Sequence, residues 1–245
     1  MLKIRGFRRI FMVCCFAMLC IPNAKAITVS PLTLELTNAG PQSKATLRVK
    51  NDSASPVPIE ILVSQIEITK GGALKQKSAD GEFLIFPPQA TIPPGGSQAF
   101  RIQWMSKSDL KASQTYVFSV NQLPVAFEAS KSGLQIVLNF SVLVNVAPVG
   151  SKPDVSLVAF ELSNQRYPSL LVENRGKRHA LLTEGTVTLE GAGWKKTYAG
   201  ADLLQALGGM GLVQPGQQRQ FVFKTPLPSN ASSITAAAVN LTGAQ

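Results

Sequence analysis

LQIVLNFSVLVNV, residues 134–146, alternates apolar and polar side chains along most of its length. Leu134, Ile136, Leu138, Phe140, Val142, Val144 and Val146 take the even positions. Gln135, Asn139, Ser141 and Asn145 take odd ones, with Val137 and Leu143 as exceptions. A period of two places the even set on one face of a β-strand. At about 3.3 Å per residue the strand would run roughly 43 Å, about twice the usual length. One reading is a core strand buried throughout. The other is a strand whose surplus apolar face serves another chain, which adds as a strand and receives alternate side chains in pockets.

The rest of the chain is also strand-like. Short alternating runs separated by Pro, Gly, Asn and Asp predict strands near 27–36, 44–51, 59–68, 82–86, 98–104 and 115–123. Gly71-Gly72 and Asp80-Gly81 are hairpin signals. Pro31 interrupts the first strand, which suits an edge or a switch between sheets. About seven strands in this space predict an immunoglobulin-like sandwich. APVGSKP, 147–153, reads as a boundary. A second set is expected at 155–162, 169–174, 186–190, 194–199, 218–224 and 234–241, with helical spacing confined to 201–207. Gly208-Gly209-Met210-Gly211 reads as a flexible loop. The expected fold class is therefore all-β, with two immunoglobulin-like β-sandwich domains over residues 27–148 and 149–245.

Residues 1–26 read as a cleaved signal peptide. Lys3, Arg5, Arg8 and Arg9 precede the apolar run from Ile10 to Ile21, and Ala24-Lys25-Ala26 supplies small residues for cleavage. That run is too short to span a bilayer. All three cysteines, Cys14, Cys15 and Cys20, lie in this leader. The mature chain would enter an oxidising space without disulfides and depend on packing. The formal charge of +10 halves when the leader is removed, because it carries five basic residues and no acid. The remaining cations are scattered, with no basic block interleaved with aromatics, so no nucleic-acid partner is expected.

Nothing points to catalysis. His179 is the lone histidine, within a basic turn, NRGKRH, that reads as a surface loop. No nucleophile elbow, paired metal-ligand motif or phosphate loop occurs. No cofactor, metal or catalytic residue is expected.

One longer stretch carries a family likeness. FPPQATIPPGGSQAFRIQWMSKSDLKASQTYVFSVNQLPV, 86–125, sets a Pro-Pro turn, a short strand, a Pro-Gly turn, an apolar-Arg-apolar strand, a Tyr-apolar strand and a Leu-Pro corner in order. Asn51-Asp52-Ser53 supplies an Asn turn, and residues 134–138 follow as a last strand. This resembles the PapD-like periplasmic pilus chaperones, over most of 27–148. In the second half only Leu171-Val172-Glu173-Asn174 and Pro215-Gly216 are similar.

The resemblance implies two sandwich domains in an L shape, in the periplasm of a Gram-negative cell. It implies a soluble, non-enzymatic chaperone whose partners are pilus subunits and an outer-membrane usher. The last strand of the first domain, here 134–146, would complete the open sandwich of a subunit by donor-strand complementation. Leu134, Ile136, Leu138, Phe140 and Val142 would fill its groove. The family anchors the subunit's C-terminal carboxylate with an arginine and a lysine. Here those positions hold Thr33 and Leu143, a departure that suggests the archaic branch. A cation is still wanted in the cleft. Arg101, and less directly Lys44, are the candidate anchors.

Two other functions compete. A secreted pilus subunit or adhesin would carry an N-terminal donor arm, yet the expected cleavage site leaves Ile27 directly on the first strand. A carbohydrate-binding module would display aromatics, and Trp104 is expected in the core.

Overall fold

The computed structural model describes residues 27–105, 109–124, 137–163, 165–229, 231 and 233–241. Its first sandwich pairs two sheets. The four-stranded sheet runs in the order β1 (Ile27–Ser30), β3 (Lys44–Asn51), β8 (Ser97–Trp104) and β6 (Phe83–Phe86). The larger sheet runs β2 (Thr33–Thr37), β10 (Asn139–Ala147), β9 (Gln114–Gln122), β4 (Val57–Ile68) and β5 (Leu74–Ser78), with β7 (Gln89–Ile92) also on β4.

Alternation sets the core. Val57, Ile59, Ile61 and Val63 of β4 face Leu47 and Val49 of β3 and Phe100, Ile102 and Trp104 of β8 across the sandwich. Tyr116, Phe118 and Val120 of β9 complete the layer. Phe83 sits at its centre, with ring centroids 5.0 Å from Trp104, 4.9 Å from Tyr116 and 4.9 Å from Phe118, all edge to face. Such pairs add to area burial. Burial, with the Glu82 carboxylate 2.6 Å away, pushes the Tyr116 phenol far above its ordinary value.

Pro31 marks a switch between sheets, one of the two roles its position suits. Before it, β1 pairs antiparallel with β3; after it, β2 pairs parallel with β10 in the other sheet. One segment of chain thus ties both sheets together.

The second sandwich covers a separate core. Its sheets are β11 (Val155–Leu162), β12 (Pro168–Asn174) and β17 (Gln217–Val222), and β15 (Trp194–Ala199), β14 (Gly185–Gly191) and β18 (Ala236–Leu241). The short pair β13 (Ala180–Leu181) and β16 (Leu212–Val213) forms its own ladder, and α1 (Gly200–Leu207) packs against β14 and β15. Leu170, Val172, Leu182, Val187, Leu189, Leu203 and Phe223 fill the interior.

The two sandwiches share a device that sequence comparison of the halves does not reveal. Asn51 ends β3 fully buried; its amide donates to the carbonyls of Ser55 and Ile92, and its oxygen accepts from Ser53 N–H. Asn174 ends β12 fully buried; its amide donates to the carbonyls of Arg178 and Val213, and its oxygen accepts from Asp154 and Gly176 N–H. A Pro-Gly turn bonds back to each: Gly95 N–H to the Asn51 carbonyl and Gly216 N–H to that of Asn174. Each asparagine satisfies backbone groups that an apolar residue would leave orphaned.

Candidate functional site

β10 is paired unequally on its two sides. β9 accompanies it throughout, from Asn139↔Asn121 to Val146↔Gln114. On the other side β2 pairs with it only from Leu143↔Thr33 to Ala147↔Thr37, and the first bond runs from Leu143 N–H to the Leu32 carbonyl at 2.9 Å. The cause lies in the chain path. Up to Ser30 the first segment belongs to the opposite sheet, so nothing fills the lane beside Asn139–Val142 among the described residues. Leu143 N–H points toward β2, and strand geometry alternates. The N–H and C=O of Asn139 and Ser141 therefore face the open lane. An unpaired edge of this kind is a template for another strand.

The side chains along this strand divide in two. Val142, Val144 and Val146 are fully buried in the sandwich core. Phe140 and Leu138 are half-buried at its margin, and Val137 is exposed. Leu134 and Ile136 lie outside the described residues. Two expectations need correction. Val142 cannot be offered to a partner, because Phe118 and the opposite sheet already enclose it. The described strand starts at Asn139 rather than running unbroken from 134; Leu138 precedes it but stays tied to β9, its carbonyl accepting from Gln122 N–H at 3.1 Å.

Arg101 and Lys44 are near one another but not in the cleft. Phe100 and Ile102 point inward on β8, so Arg101 turns outward from the four-stranded sheet. It lines a shallow depression of about 500 Å³ with Lys44, Thr46, Leu84 and Phe86. The second sandwich packs on the far face of the other sheet. Both cations thus lie away from the junction between the sandwiches, not in the cleft where the anchor is expected.

Thr33 and Leu143 do meet at the junction. Ile66 and Ile68 of β4 pack on Leu181 and Leu212 of the second sandwich, with Val117, Leu143 and Met210 at the margin. Thr33 Oγ1 lies 3.5 Å from Met210 Sδ. Gln214 reaches across and continues the β4 ladder beyond the start of β9. Its Oε1 accepts from Ile68 N–H at 2.7 Å, and its Nε2 donates to the Ile66 carbonyl at 3.0 Å. Gln220 N–H adds a bond to the Lys70 carbonyl at 2.8 Å.

A row of polar side chains crosses three strands beside this cluster. Thr115 Oγ1 donates to Asn145 Oδ1 at 2.9 Å, and Asn145 Nδ2 donates to Glu35 Oε1 at 2.8 Å. The other carboxylate oxygen meets His179 Nε2 at 2.8 Å and an Arg178 nitrogen at 3.5 Å. His179 Nδ1 lies 3.2 Å from Ser113 Oγ, which accepts from the His179 backbone N–H at 2.6 Å. With Nε2 protonated and Ser113 donating to Nδ1, every partner is satisfied. His179 is therefore not a surface residue as its basic turn predicts; it is only 4% exposed. Ser113, His179 and Glu35 follow one another as in a hydrolytic triad. Ser113 is buried, however, and its oxygen is held by a backbone donor, so the arrangement locks the junction. Sequence reasoning could find neither His179 nor Gln214, because each acts on a strand more than a hundred residues away.

Among the described residues no group of three or more His, Cys, Asp or Glu could hold a metal ion. Among the same residues no helix is long and apolar enough to cross a membrane.

The architecture is thus that of two β-sandwiches in contact, the first with a strand left half-paired and open to another strand. Residues 26–152 match the family described as pili and flagellar-assembly chaperone, PapD N-terminal domain, and the chain belongs to that family. No curated protein matches it. Solved structures share the fold at low identity. The CsuC–CsuE chaperone–tip adhesion subunit complex from archaic chaperone–usher Csu pili of Acinetobacter baumannii is similar at 14% identity and a TM-score of 0.55, covering 83% of this chain and 90% of that one. The class 5 fimbriae chaperone CfaA is similar at 13% identity and 0.54, covering 89% and 100%. The Salmonella enterica SafA pilin–SafB chaperone complex gives 14% and 0.54, covering 81% and 84%.

Proposed function

We propose that this chain is a periplasmic chaperone of a chaperone–usher pathway. It binds pilus subunits by donor-strand complementation and delivers them to an outer-membrane usher. After cleavage the chain starts at Ile27, with a first domain over 27–148 and a second over 149–245. A subunit strand occupies the open lane beside Asn139–Val142, and Leu134, Ile136, Leu138 and Phe140 enter its apolar groove. The half-paired state of β10 carries this reading. Pairing covers the free edge and the subunit's exposed cleft together.

The test is co-expression with the cognate subunit. Leu138→Asp forces a charge into an apolar groove, which costs several kcal/mol if it stays ionised. Subunit recovery on the chaperone should disappear, while the melting temperature of the free chaperone changes by only a few degrees. Undiminished recovery would refute the reading.

A further inference from the structure

The open lane does not end at solvent. It ends where β2 enters the sheet, at Leu32 and Thr33, and there the surface is apolar. Leu32 is 52% exposed. Leu143, half-buried on the outward face of β10, and Met210 from the second sandwich both pack on the Ile66–Ile68–Leu181–Leu212 cluster, and Met210 Sδ lies 3.5 Å from Thr33 Oγ1. Asn139, Ser141 and Leu143 form one outward row on β10, since alternate residues share a face. A strand in the open lane would set one residue opposite Ser141. That residue lies two strand positions from Thr33, roughly 6.6 Å along the lane. Met210 stands over that end.

The loop presenting Met210 is built rather than loose, which corrects the reading of its glycines as a flexible loop. Gly208 ends α1 in the left-handed region, at φ 67°, and its N–H bonds back to Gln205. Gly209 N–H bonds to Leu204. Gly211 is also left-handed, at φ 69°, and a Cβ there would come within 2.8 Å of Leu182 and Leu207. The Met210 carbonyl accepts from both the N–H and the hydroxyl of Thr183. Backbone fixed on both sides holds out a flexible thioether, a side chain that conforms to varied apolar partners.

We propose that Met210 is a specificity-determining contact, and that it takes an apolar side chain at the end of the subunit strand nearest Thr33. The inference rests on the strand-pairing function above and adds a role for the second sandwich in it. The one guanidinium in this network, Arg178, lies against the Glu35 carboxylate, so selection at this end works by shape and apolar contact.

Residues 27–245 contain no cysteine, so a single introduced one reports its neighbours without interference. Met210→Cys would be paired in turn with single cysteines along the subunit's lane-filling strand, in the full co-expressed complex, with Val137→Cys as a reference on the donor strand. A disulfide from Met210→Cys confined to the strand end nearest Thr33 is expected. Met210→Lys should lower subunit recovery about tenfold, the effect of roughly 1.4 kcal/mol. Met210→Leu should restore it, and so should an acidic residue at the cross-linked subunit position. Cross-links from Val137→Cys but none from Met210→Cys would overturn the inference and leave strand pairing intact. Cross-links from neither would overturn both.

Discussion

Removing the Glu35 carboxylate should loosen the junction by an amount the geometry sets. Its two oxygens accept from Asn145, which is fully buried, and from His179, which is 4% exposed. Glu35→Ala strands both donors. A buried donor left without an acceptor costs about 1–3 kcal/mol. The Glu35 side chain is itself 33% exposed, so water can replace part of the loss. The expected penalty is about 3 kcal/mol, in the lower half of the range of about 2–6 kcal/mol for two donors. For a cooperative unit of this size that lowers the melting temperature by roughly 6–12 °C. Glu35→Gln keeps one acceptor and should recover part of it. The assay is denaturant unfolding of the mature protein, with a double-mutant cycle through His179→Ala. Neighbours in one network should couple by about 1 kcal/mol or more. A loss below about 0.5 kcal/mol, the range of ordinary surface substitutions, would refute the account of the lock, as would strict additivity with His179→Ala.

Other substitutions separate core from edge. Val142→Ala should destabilise by about 2 kcal/mol through lost burial and a small cavity, and Phe140→Ser should cost less stability while reducing subunit recovery more; thermal melts beside pull-downs decide this. Arg101→Ala should leave both readouts unchanged, because the residue sits on the opposite sheet; a specific loss of subunit recovery would restore it as an anchor. The Tyr116 phenol is held above its unfolded value. Its contribution is complete below pH 10 and is lost as the pH rises beyond it, because the unfolded chain then ionises first. Stability measured between pH 9 and pH 12 should fall less steeply in Tyr116→Phe than in the parent; equal slopes would remove Tyr116 from the account.

Much of the fold is legible where side-chain alternation and burial coincide. β3, β11 and β15 fall where alternation predicts them, and Pro31 marks the sheet switch. β5 escapes because all its residues, LKQKS, are exposed: an edge strand with no buried face leaves no alternating signal. The site is legible only in part. Alternation correctly turns Arg101 away from the core, but it cannot say which outer face receives the second sandwich. Val142 continues the apolar row of Leu138 and Phe140 without interruption. Only the point where β2 joins the sheet divides residues that fill the core from residues free to face a partner. His179 and Gln214 carry no local signal, because their partners lie on β2 and β4.

Amide hydrogen exchange along β10 tests the central claim most directly. Phe140 and Val142 N–H point to β9, whereas Asn139 and Ser141 N–H face the open lane. In the free protein, Phe140 and Val142 should exchange slowly, and Asn139 and Ser141 quickly. In the complex with a pilus subunit all four should be slow, because the incoming strand supplies the missing acceptors. Protection of Asn139 and Ser141 already in the free protein, or no gain of protection on subunit binding, would contradict the claim that this edge is where the subunit binds.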